Sequence, residues 1–250
     1  MKKIIWLVIL LISLTSFSQN QIQMTKIDSI VNNSLAENDP GIMVGIVKDG
    51  QVIYEEYRGL SYMQYQIKMD EKTKSNIASI AKQFTALMIL DLALNEKLNL
   101  EDDIRVYLPS LYKSVDDIIR IRHVLNHTSG IREQDDLLRL SGTKLTDVTT
   151  NDEVFRLVTS QKETNFETGS QYEYCNSAFM LLTKMVERIS GDSFGKFTQE
   201  RIFVPLNMKN SFFLDDTDKV IKNRVYSYSP FGNGYQKNLL NSSVVGSTGL

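Results

Sequence analysis

The sequence predicts a mixed α and β fold, in which an antiparallel hairpin near the N-terminus precedes a long helical block. Residues 42–47 and 52–57 are rich in β-branched and aromatic side chains, and Lys48-Asp49-Gly50 joins them. An Asp-Gly turn between two such runs is typical of a β-hairpin. A two-stranded ribbon is not stable alone, and we expect no second sheet before Leu250. Strands farther downstream are therefore expected to complete the sheet.

Apolar periodicity predicts the helices. Residues 27–35 carry apolar side chains at the i, i+3, i+4 and i+8 spacing of an amphipathic helix. Because proline pushes the residue before it out of the helical region, this helix should end before Pro40. Residues 80–98 are apolar on nearly every side, which is typical of a buried helix. Three more helices are predicted over residues 115–126, 152–159 and 177–189.

The composition is that of a soluble globular domain. Of the 250 residues, 42% are apolar and 23% are charged, which are ordinary fractions. The formal net charge of −2 gives no reason to expect a nucleic-acid partner, since nucleic-acid binding usually needs a basic face. We expect a small-molecule or peptide substrate instead, and the composition leaves the oligomeric state open.

The N-terminus has the features of a secretory signal peptide. Lys2 and Lys3 precede an apolar run over residues 4–14, and Ser16-Phe17-Ser18 supplies small residues at the spacing of a cleavage site. The run is too short for an ordinary membrane span, which needs about 20 residues. We therefore predict a signal peptide over residues 1–18 and a mature domain over residues 19–250. The protein is expected to be bacterial and exported, either periplasmic or secreted, with no membrane span after signal removal.

The cysteine and histidine residues predict no metal site. Cys175 is the only cysteine, so an intramolecular disulfide is impossible, and we expect a packing residue. His123 and His127 have the i, i+4 spacing of paired zinc ligands. However, Thr128-Ser129-Gly130 indicates that a helix ends there. We expect the histidines to be held by backbone groups, with no metal and no cofactor.

The pattern Ser-x-x-Lys can pair a nucleophile with a base, and it occurs at Ser79/Lys82, Ser110/Lys113, Ser141/Lys144 and Ser193/Lys196. The chemistry needs the serine in the first turn of a rigid helix, because the lysine one turn later then lies beside it. The helix N-terminus also offers an N–H group and a positive dipole to a developing oxyanion. Only Ser79 opens a long apolar helix, so Ser79 is the candidate nucleophile.

Lys82 and the motif Tyr174-Cys175-Asn176 are the candidate partners of Ser79. Apolar surroundings would disfavour the ammonium form of Lys82 and favour a neutral base, unless its stem carries the amine to the surface. A tyrosine near a lysine is stabilised as phenolate and can take a proton from serine. Asn176 can offer its amide to a substrate carbonyl. The alternative for the motif is a buried tyrosine followed by a helix-capping asparagine.

A second candidate nucleophile is Ser193, because Gly191-Asp192-Ser193-Phe194-Gly195 fits the G-x-S-x-G elbow of α/β-hydrolases. That elbow joins a strand to a helix and needs a histidine downstream. Here a helix is predicted before it, and both histidines lie upstream. We interpret Gly191 as the end of one helix and Asp192 or Ser193 as the N-cap of the next. An esterase that uses Ser193 remains the alternative.

Five stretches, in order, resemble the serine β-lactamase and penicillin-binding-protein superfamily, in its class C, esterase and D-peptidase branch. They are residues 40–59, similar to the first hairpin; 78–82, similar to the nucleophile motif; 125–130, similar to LLxHTSG; 166–176, similar to FxPGxxxxYSN; and 202–208, similar to IFxPLGM. Thr168 stands where the family usually has proline, and Cys175 where serine or alanine is usual. The family's third motif, Lys or His two residues before Gly on a sheet-edge strand, is missing, and residues 244–250 resemble a stretch well upstream of it. We therefore expect that the chain stops short of the full protein.

The resemblance implies an α/β (α+β) fold of the β-lactamase/transpeptidase type, incomplete at the C-terminus. In this fold an antiparallel sheet is flanked by helices, and an all-helical region separates early from late strands. The resemblance also implies that Ser79 is acylated, that Lys82 and Tyr174 move its proton, and that Asn176 contacts substrate. Substrates would be D-alanyl peptides, β-lactams or small esters, and the chain ending at Leu250 would be weakly active or inactive. A homologue that binds cell-wall peptides without catalysis is the alternative.

Overall fold

The computed structural model describes residues 24–144, 146–238 and 241–250. These residues form two compact units, one containing residues 24–75 and 221–238 and the other containing the remainder. The predicted signal peptide, residues 1–18, lies outside the described residues, and export stays a prediction. Within the described ranges, no helix has both the length and the apolar character that crossing a membrane requires.

The first unit begins with a helix and a hairpin. Helix α1 covers residues 24–34. Strands β1 (Ile42–Lys48) and β2 (Gln51–Arg58) pair antiparallel. Asp49 and Gly50 form the turn with φ angles of 51° and 76°, and two successive left-handed residues are what a tight hairpin turn needs. The predicted first helix and hairpin are confirmed.

Two more antiparallel pairs complete the first unit. Strand β3 (Leu60–Tyr62) pairs with β4 (Ile67–Lys68), and β5 (Tyr228–Phe231) pairs with β6 (Gly234–Lys237). The expectation of no second sheet before Leu250 is therefore wrong. These strands contain only two to four residues each. Segments this short do not display the alternating pattern by which a strand is identified in a sequence.

The second unit is built from helices around an apolar core. Its helices are α2 (Ala81–Leu94), α3 (Ile121–Leu125), α4 (Gln134–Leu140), α5 (Asn151–Thr159), α6 (Asn176–Ser190) and α7 (Phe194–Thr198). Helices α2 and α6 pack against each other, and Met88, Ile89, Leu182 and Met185 are buried in this core. The boundaries of α5 and α6 confirm two of the predicted helices. Small antiparallel sheets together with this helical unit confirm the predicted mixed fold.

The prediction of a fully buried helix over residues 80–98 is wrong in part. Helix α2 ends at Leu94, and one of its faces is open to solvent. Leu87, Leu90 and Leu94 are exposed, whereas Met88 is buried. Because α2 has apolar side chains on every face, any of its faces could be buried. The neighbouring elements determine which face is actually covered.

The prediction of a helix over residues 115–126 is also wrong in part, because only Ile121–Leu125 is helical. The preceding residues pair with another segment instead. The backbone N–H of Ile104 donates to the carbonyl of Ile119 (2.9 Å), and the N–H of Ile121 donates to the carbonyl of Asp102 (3.1 Å). These bonds hold Ile119 and Arg120 in an extended segment, so the helix begins only at Ile121.

Candidate active site

Ser79 lies in a single 3₁₀ turn, Ala78–Ile80, that leads directly into α2. Its side chain is exposed. The preceding residue, Ala78, has a φ of 49°, a left-handed conformation that costs a non-glycine residue on the order of 1 kcal/mol. The N–H of Ala78 donates to Asn76 Oδ1 at 2.7 Å, which holds this turn. The sequence contains no signal for the strained residue, and such residues are often found at functional sites.

Lys82 lies one turn after Ser79 and is only 8% exposed. Its Nζ donates to Ser79 Oγ (3.3 Å), to Asn176 Oδ1 (2.7 Å) and to the carbonyl of Ser247 (2.8 Å). Three acceptors match the three N–H donors of an ammonium group. The sequence suggests apolar surroundings for Lys82. The amine is buried, but three oxygen atoms lie within hydrogen-bond distance of it. The alternative of an amine that reaches the surface is wrong.

Tyr174 brings a second hydroxyl to Ser79. Its Oη lies 2.7 Å from Ser79 Oγ, and either oxygen can donate. The ring is also beneath Lys82, with Nζ 4.7 Å from its centroid. At 44% exposure Tyr174 is not a buried packing residue, so that alternative is wrong. The structure therefore brings the predicted Ser79, Lys82 and Tyr174 into mutual contact.

The two histidines differ in their hydrogen bonds. His127 stacks on Tyr174 with the ring centroids 4.6 Å apart, and its Nδ1 accepts from the backbone N–H of Cys175 at 3.1 Å. The prediction of a backbone-held histidine is confirmed for His127. Burial, and then the charge of Lys82, hold its pKa below 6.5. For His123 the prediction is wrong, because its buried Nδ1 has no hydrogen-bond partner among the described residues.

Asn176 is the first residue of α6 and links Lys82 to Glu133. Its Oδ1 accepts from Lys82, while its Nδ2 donates to Glu133 Oε1 at 3.0 Å. The backbone N–H of Asn176 donates to Glu133 Oε2 at 2.5 Å. Glu133 lies 43 positions before Asn176 and belongs to no motif, so the sequence does not predict it as part of the site.

The carbonyl of Ser247 reaches Lys82 because the chain at Gly246 passes very close to α6. Gly246 has a φ of 94°, and a Cβ there would lie 2.1 Å from Thr183 Cγ2. The hydroxyl of Thr85 in α2 donates to the Gly246 carbonyl at 2.8 Å. Glycine is therefore required at this position. A backbone carbonyl has no side-chain signature, so Ser247 could not be predicted as part of the site.

A cleft of about 460 Å³ opens beside Ser79 and Asn176. One wall comes from α4 and the residues after it, and the other from residues 242–248. Leu138 and Val244 are its apolar members, and Asp135, Arg139 and Lys144 bring charges to it. The cleft can therefore hold a small ligand with both apolar and charged groups next to the Ser79 hydroxyl.

Cys175 and Ser193 act as structural residues. Cys175 is buried, its Sγ donates to the carbonyl of Ile131 at 3.2 Å, and burial raises the pKa of the thiol to about 12. It is the packing residue that the sequence predicted. Ser193 joins α6 to α7, and its Oγ caps α7 by accepting from the N–H of Lys196 at 3.3 Å. Because the elbow of an α/β-hydrolase follows a strand, this connection between two helices excludes it.

Metal ligands do not cluster in the part of the chain that the structure describes. No group of three or more His, Cys, Asp or Glu side chains there could hold a metal ion.

The remaining Ser-x-x-Lys matches lack the geometry of Ser79, since Ser110 lies in a turn and Ser141 follows the last residue of α4.

Comparison with known proteins gives a family match over most of the chain. The family model described as Beta-lactamase matches residues 27–246. A D-aminopeptidase of Brucella anthropi is 34% identical over 178 residues, which are 71% of this chain and 34% of the relative. Protein flp of Staphylococcus aureus (strain MRSA252) is 30% identical over 213 residues, which are 82% of this chain and 40% of the relative. The chain thus spans well under half the length of these curated relatives.

Solved structures agree on the fold. The octameric penicillin-binding protein homologue from Pyrococcus abyssi superposes with a TM-score of 0.76 at 23% identity, over 92% of this chain and 52% of that one. The D-amino acid amidase from Ochrobactrum anthropi SV3 gives a TM-score of 0.74 at 17% identity, over 88% of this chain and 65% of that one. The family match and the fold place this chain in the β-lactamase family, within the superfamily of serine β-lactamases and penicillin-binding proteins.

Proposed function

We propose that this protein is a serine hydrolase that forms an acyl-enzyme at Ser79 and releases it by hydrolysis. The observation that carries the proposal is the contact of Ser79 Oγ with both Tyr174 Oη (2.7 Å) and Lys82 Nζ (3.3 Å) at the edge of an open cleft. A nucleophile within hydrogen-bond reach of its base, which a third group orients, is the arrangement that covalent catalysis needs.

In the proposed acylation, Tyr174 acts as a phenolate that the Lys82 ammonium stabilises. Ser79 Oγ gives its proton to Tyr174 Oη and forms a bond to the substrate carbonyl carbon. The carbonyl oxygen becomes an oxyanion next to the N-terminus of α2, where the helix dipole and the N–H of Ser79 favour negative charge. When the bond to the leaving group breaks, Tyr174 returns the proton to that group.

Deacylation repeats these steps with water. A water molecule gives a proton to Tyr174 Oη, and its oxygen bonds to the acyl carbon. The ester bond to Ser79 then breaks, and Oγ recovers the proton. Ser79 and Tyr174 therefore serve both halves of the reaction, and neither half consumes a cofactor.

Amides and short peptides of D-amino acids are the proposed substrates of first choice, with β-lactams and small esters next. Support comes from the relatives, whose names are D-aminopeptidase and, among solved structures, D-amino acid amidase and D-stereospecific amidohydrolase. The charged members of the cleft, Asp135, Arg139 and Lys144, suit a substrate that carries an amine or a carboxylate.

The test is turnover of paired chromogenic substrates. The p-nitroanilides of D-alanine and L-alanine, a chromogenic cephalosporin and p-nitrophenyl acetate should be incubated with the protein and with Ser79→Ala. We expect weak but measurable hydrolysis of the D-anilide, faster than that of the L-anilide, and none by the variant. Binding of a D-alanyl peptide without turnover of any substrate would contradict the proposal and favour a non-catalytic binding protein.

A further inference from the structure

Glu133 holds Asn176 at two atoms, and it is hydrogen-bonded to neither Ser79 nor Tyr174. Its Oε2 accepts from the backbone N–H of Asn176 (2.5 Å), and its Oε1 accepts from Asn176 Nδ2 (3.0 Å). Glu133 is also the N-cap of α4, where its side chain accepts from the N–H of Asp135. One carboxylate therefore contacts the beginnings of α4 and α6 together.

This contact determines which way the Asn176 amide faces. An ionised carboxylate only accepts hydrogen bonds, so the NH₂ group of Asn176 must face Glu133. The amide oxygen is then directed at Lys82 Nζ, 2.7 Å away. The flipped amide would set its oxygen against a Glu133 oxygen and its NH₂ against the Lys82 ammonium, and both contacts would be repulsive.

The position of Lys82 depends on this amide, because Lys82 forms no salt bridge with any described residue. Two oxygens other than the nucleophile hold its Nζ, namely Asn176 Oδ1 and the carbonyl of Ser247. Loss or reversal of the Asn176 amide would remove one of the two. Nζ would then be free to move relative to Ser79 Oγ and the ring of Tyr174.

We propose that Glu133 is a positioning residue for the acylation of Ser79, acting through the orientation of the Asn176 amide. This inference rests on the proposed function, since it assigns Glu133 a part in forming the acyl-enzyme. It also gives Asn176 a role beyond substrate contact. One N–H of its Nδ2 is occupied by Glu133, and its oxygen is occupied by Lys82.

The test compares Glu133→Gln with the protein itself and with a matched variant, Glu187→Gln. Glu187 likewise accepts from the first backbone N–H of another helix, that of Phe194 in α7 (3.2 Å), and it also accepts from Lys184 Nζ (3.1 Å). The rate of labelling of Ser79 by a fluorophosphonate, measured by intact-mass spectrometry, is the readout. Glutamine presents an NH₂ group to one of the two Asn176 donors, so we expect labelling to slow by about ten- to a hundredfold, as expected for a small misplacement of catalytic groups.

Glu187→Gln should change the unfolding temperature by about as much as Glu133→Gln does. Its Ser79 should nevertheless be labelled at the rate of the unchanged protein. A double variant separates positioning from structural support, because Asn176→Ala removes the amide and keeps the backbone N–H that Glu133 binds. In that background, Glu133→Gln should slow labelling by less than about twofold, since positioning acts only through the amide. If Glu133→Gln does not fold, Glu133→Asp replaces it, because a carboxylate one methylene shorter keeps the charge but cannot reach both donors.

Two results would overturn the inference alone. They are an unchanged labelling rate in Glu133→Gln, and a loss of rate that is equally large in the Asn176→Ala background. Absence of any adduct on Ser79 in the unchanged protein would instead overturn the proposed function, and the role of Glu133 with it.

Discussion

The hydroxyl oxygens of Ser79 and Tyr174 lie 2.7 Å apart, although 95 positions separate the two residues in the chain. Ser79 is held by the turn that begins α2, and Tyr174 lies in the loop that leads into α6. Because α2 and α6 pack against each other in the core, the fold itself brings the two hydroxyls together.

Tyr174→Phe should slow acylation of Ser79 by about a hundredfold or more, because the variant loses a proton-transfer group. The ring and its stacking on His127 remain, so the unfolding temperature should change little. Tyr172→Phe is the matched control, since Tyr172 is 70% exposed and its ring also lies near His127, 6.0 Å away. Equal labelling rates for the two variants, measured with a fluorophosphonate, would exclude Tyr174 as the base.

Lys82→Ala should also slow acylation by about a hundredfold or more. In the double variant with Tyr174→Phe, the losses should be far from additive, because the two residues handle one proton as a unit. The measurement is a double-mutant cycle on the rate of D-anilide hydrolysis. Free-energy losses that simply add would show that Lys82 and Tyr174 act independently.

Gly246→Ala should lower the free energy of unfolding by about 2 kcal/mol or more, because the methyl group would overlap Thr183 and φ is positive. It should also slow acylation, since a shift of this segment moves the Ser247 carbonyl away from Lys82. Gly142→Ala is the control that measures the free-energy cost of the positive φ alone. Gly142 has a φ of 87°, and an added Cβ would meet no atom within 4 Å. A loss of about 1 kcal/mol is expected for that control. Chemical denaturation gives both values, and equal losses would show that the contact with Thr183 does not matter.

The protein should become less stable as the pH decreases, because His127 then takes up a proton more readily in the unfolded chain. Its pKa in the folded protein is held below 6.5, first by burial and then by the charge of Lys82. Below about pH 6.5 the unfolded chain therefore binds the proton more readily, and stability present above that pH is lost as pH falls through the folded pKa. In His127→Asn, whose Oδ1 can replace Nδ1 as acceptor, the decrease in unfolding temperature between pH 7.5 and 5.5 should be smaller. An identical decrease would show that His127 does not contribute.

Local patterns explain what the sequence could predict. The β1–β2 hairpin follows from its Asp-Gly turn, and the proximity of Ser79 and Lys82 follows from their spacing along one helix. Helix α6 was predicted from its apolar stripe and from Gly191, which does end it with a φ of 78°. Tyr174 is predicted only from a motif and a resemblance, because nothing local to the motif indicates where its hydroxyl lies.

The parts that could not be predicted depend on contacts between distant segments. Glu133 acts on a residue 43 positions away, and Ser247 acts through its backbone. The strained φ of Ala78 is imposed by surroundings that no residue pattern describes. In each case tertiary packing, rather than propensity or periodicity, decides the geometry.

Peptide mapping of a covalent adduct would show whether Ser79 is the acylated nucleophile. The protein and the variants Ser79→Ala and Ser193→Ala should be incubated with a fluorophosphonate, then digested and examined by tandem mass spectrometry. We expect a single adduct on the peptide that contains Ser79, absent from Ser79→Ala and retained in Ser193→Ala. An adduct on Ser193, or labelling that persists in Ser79→Ala, would contradict this assignment.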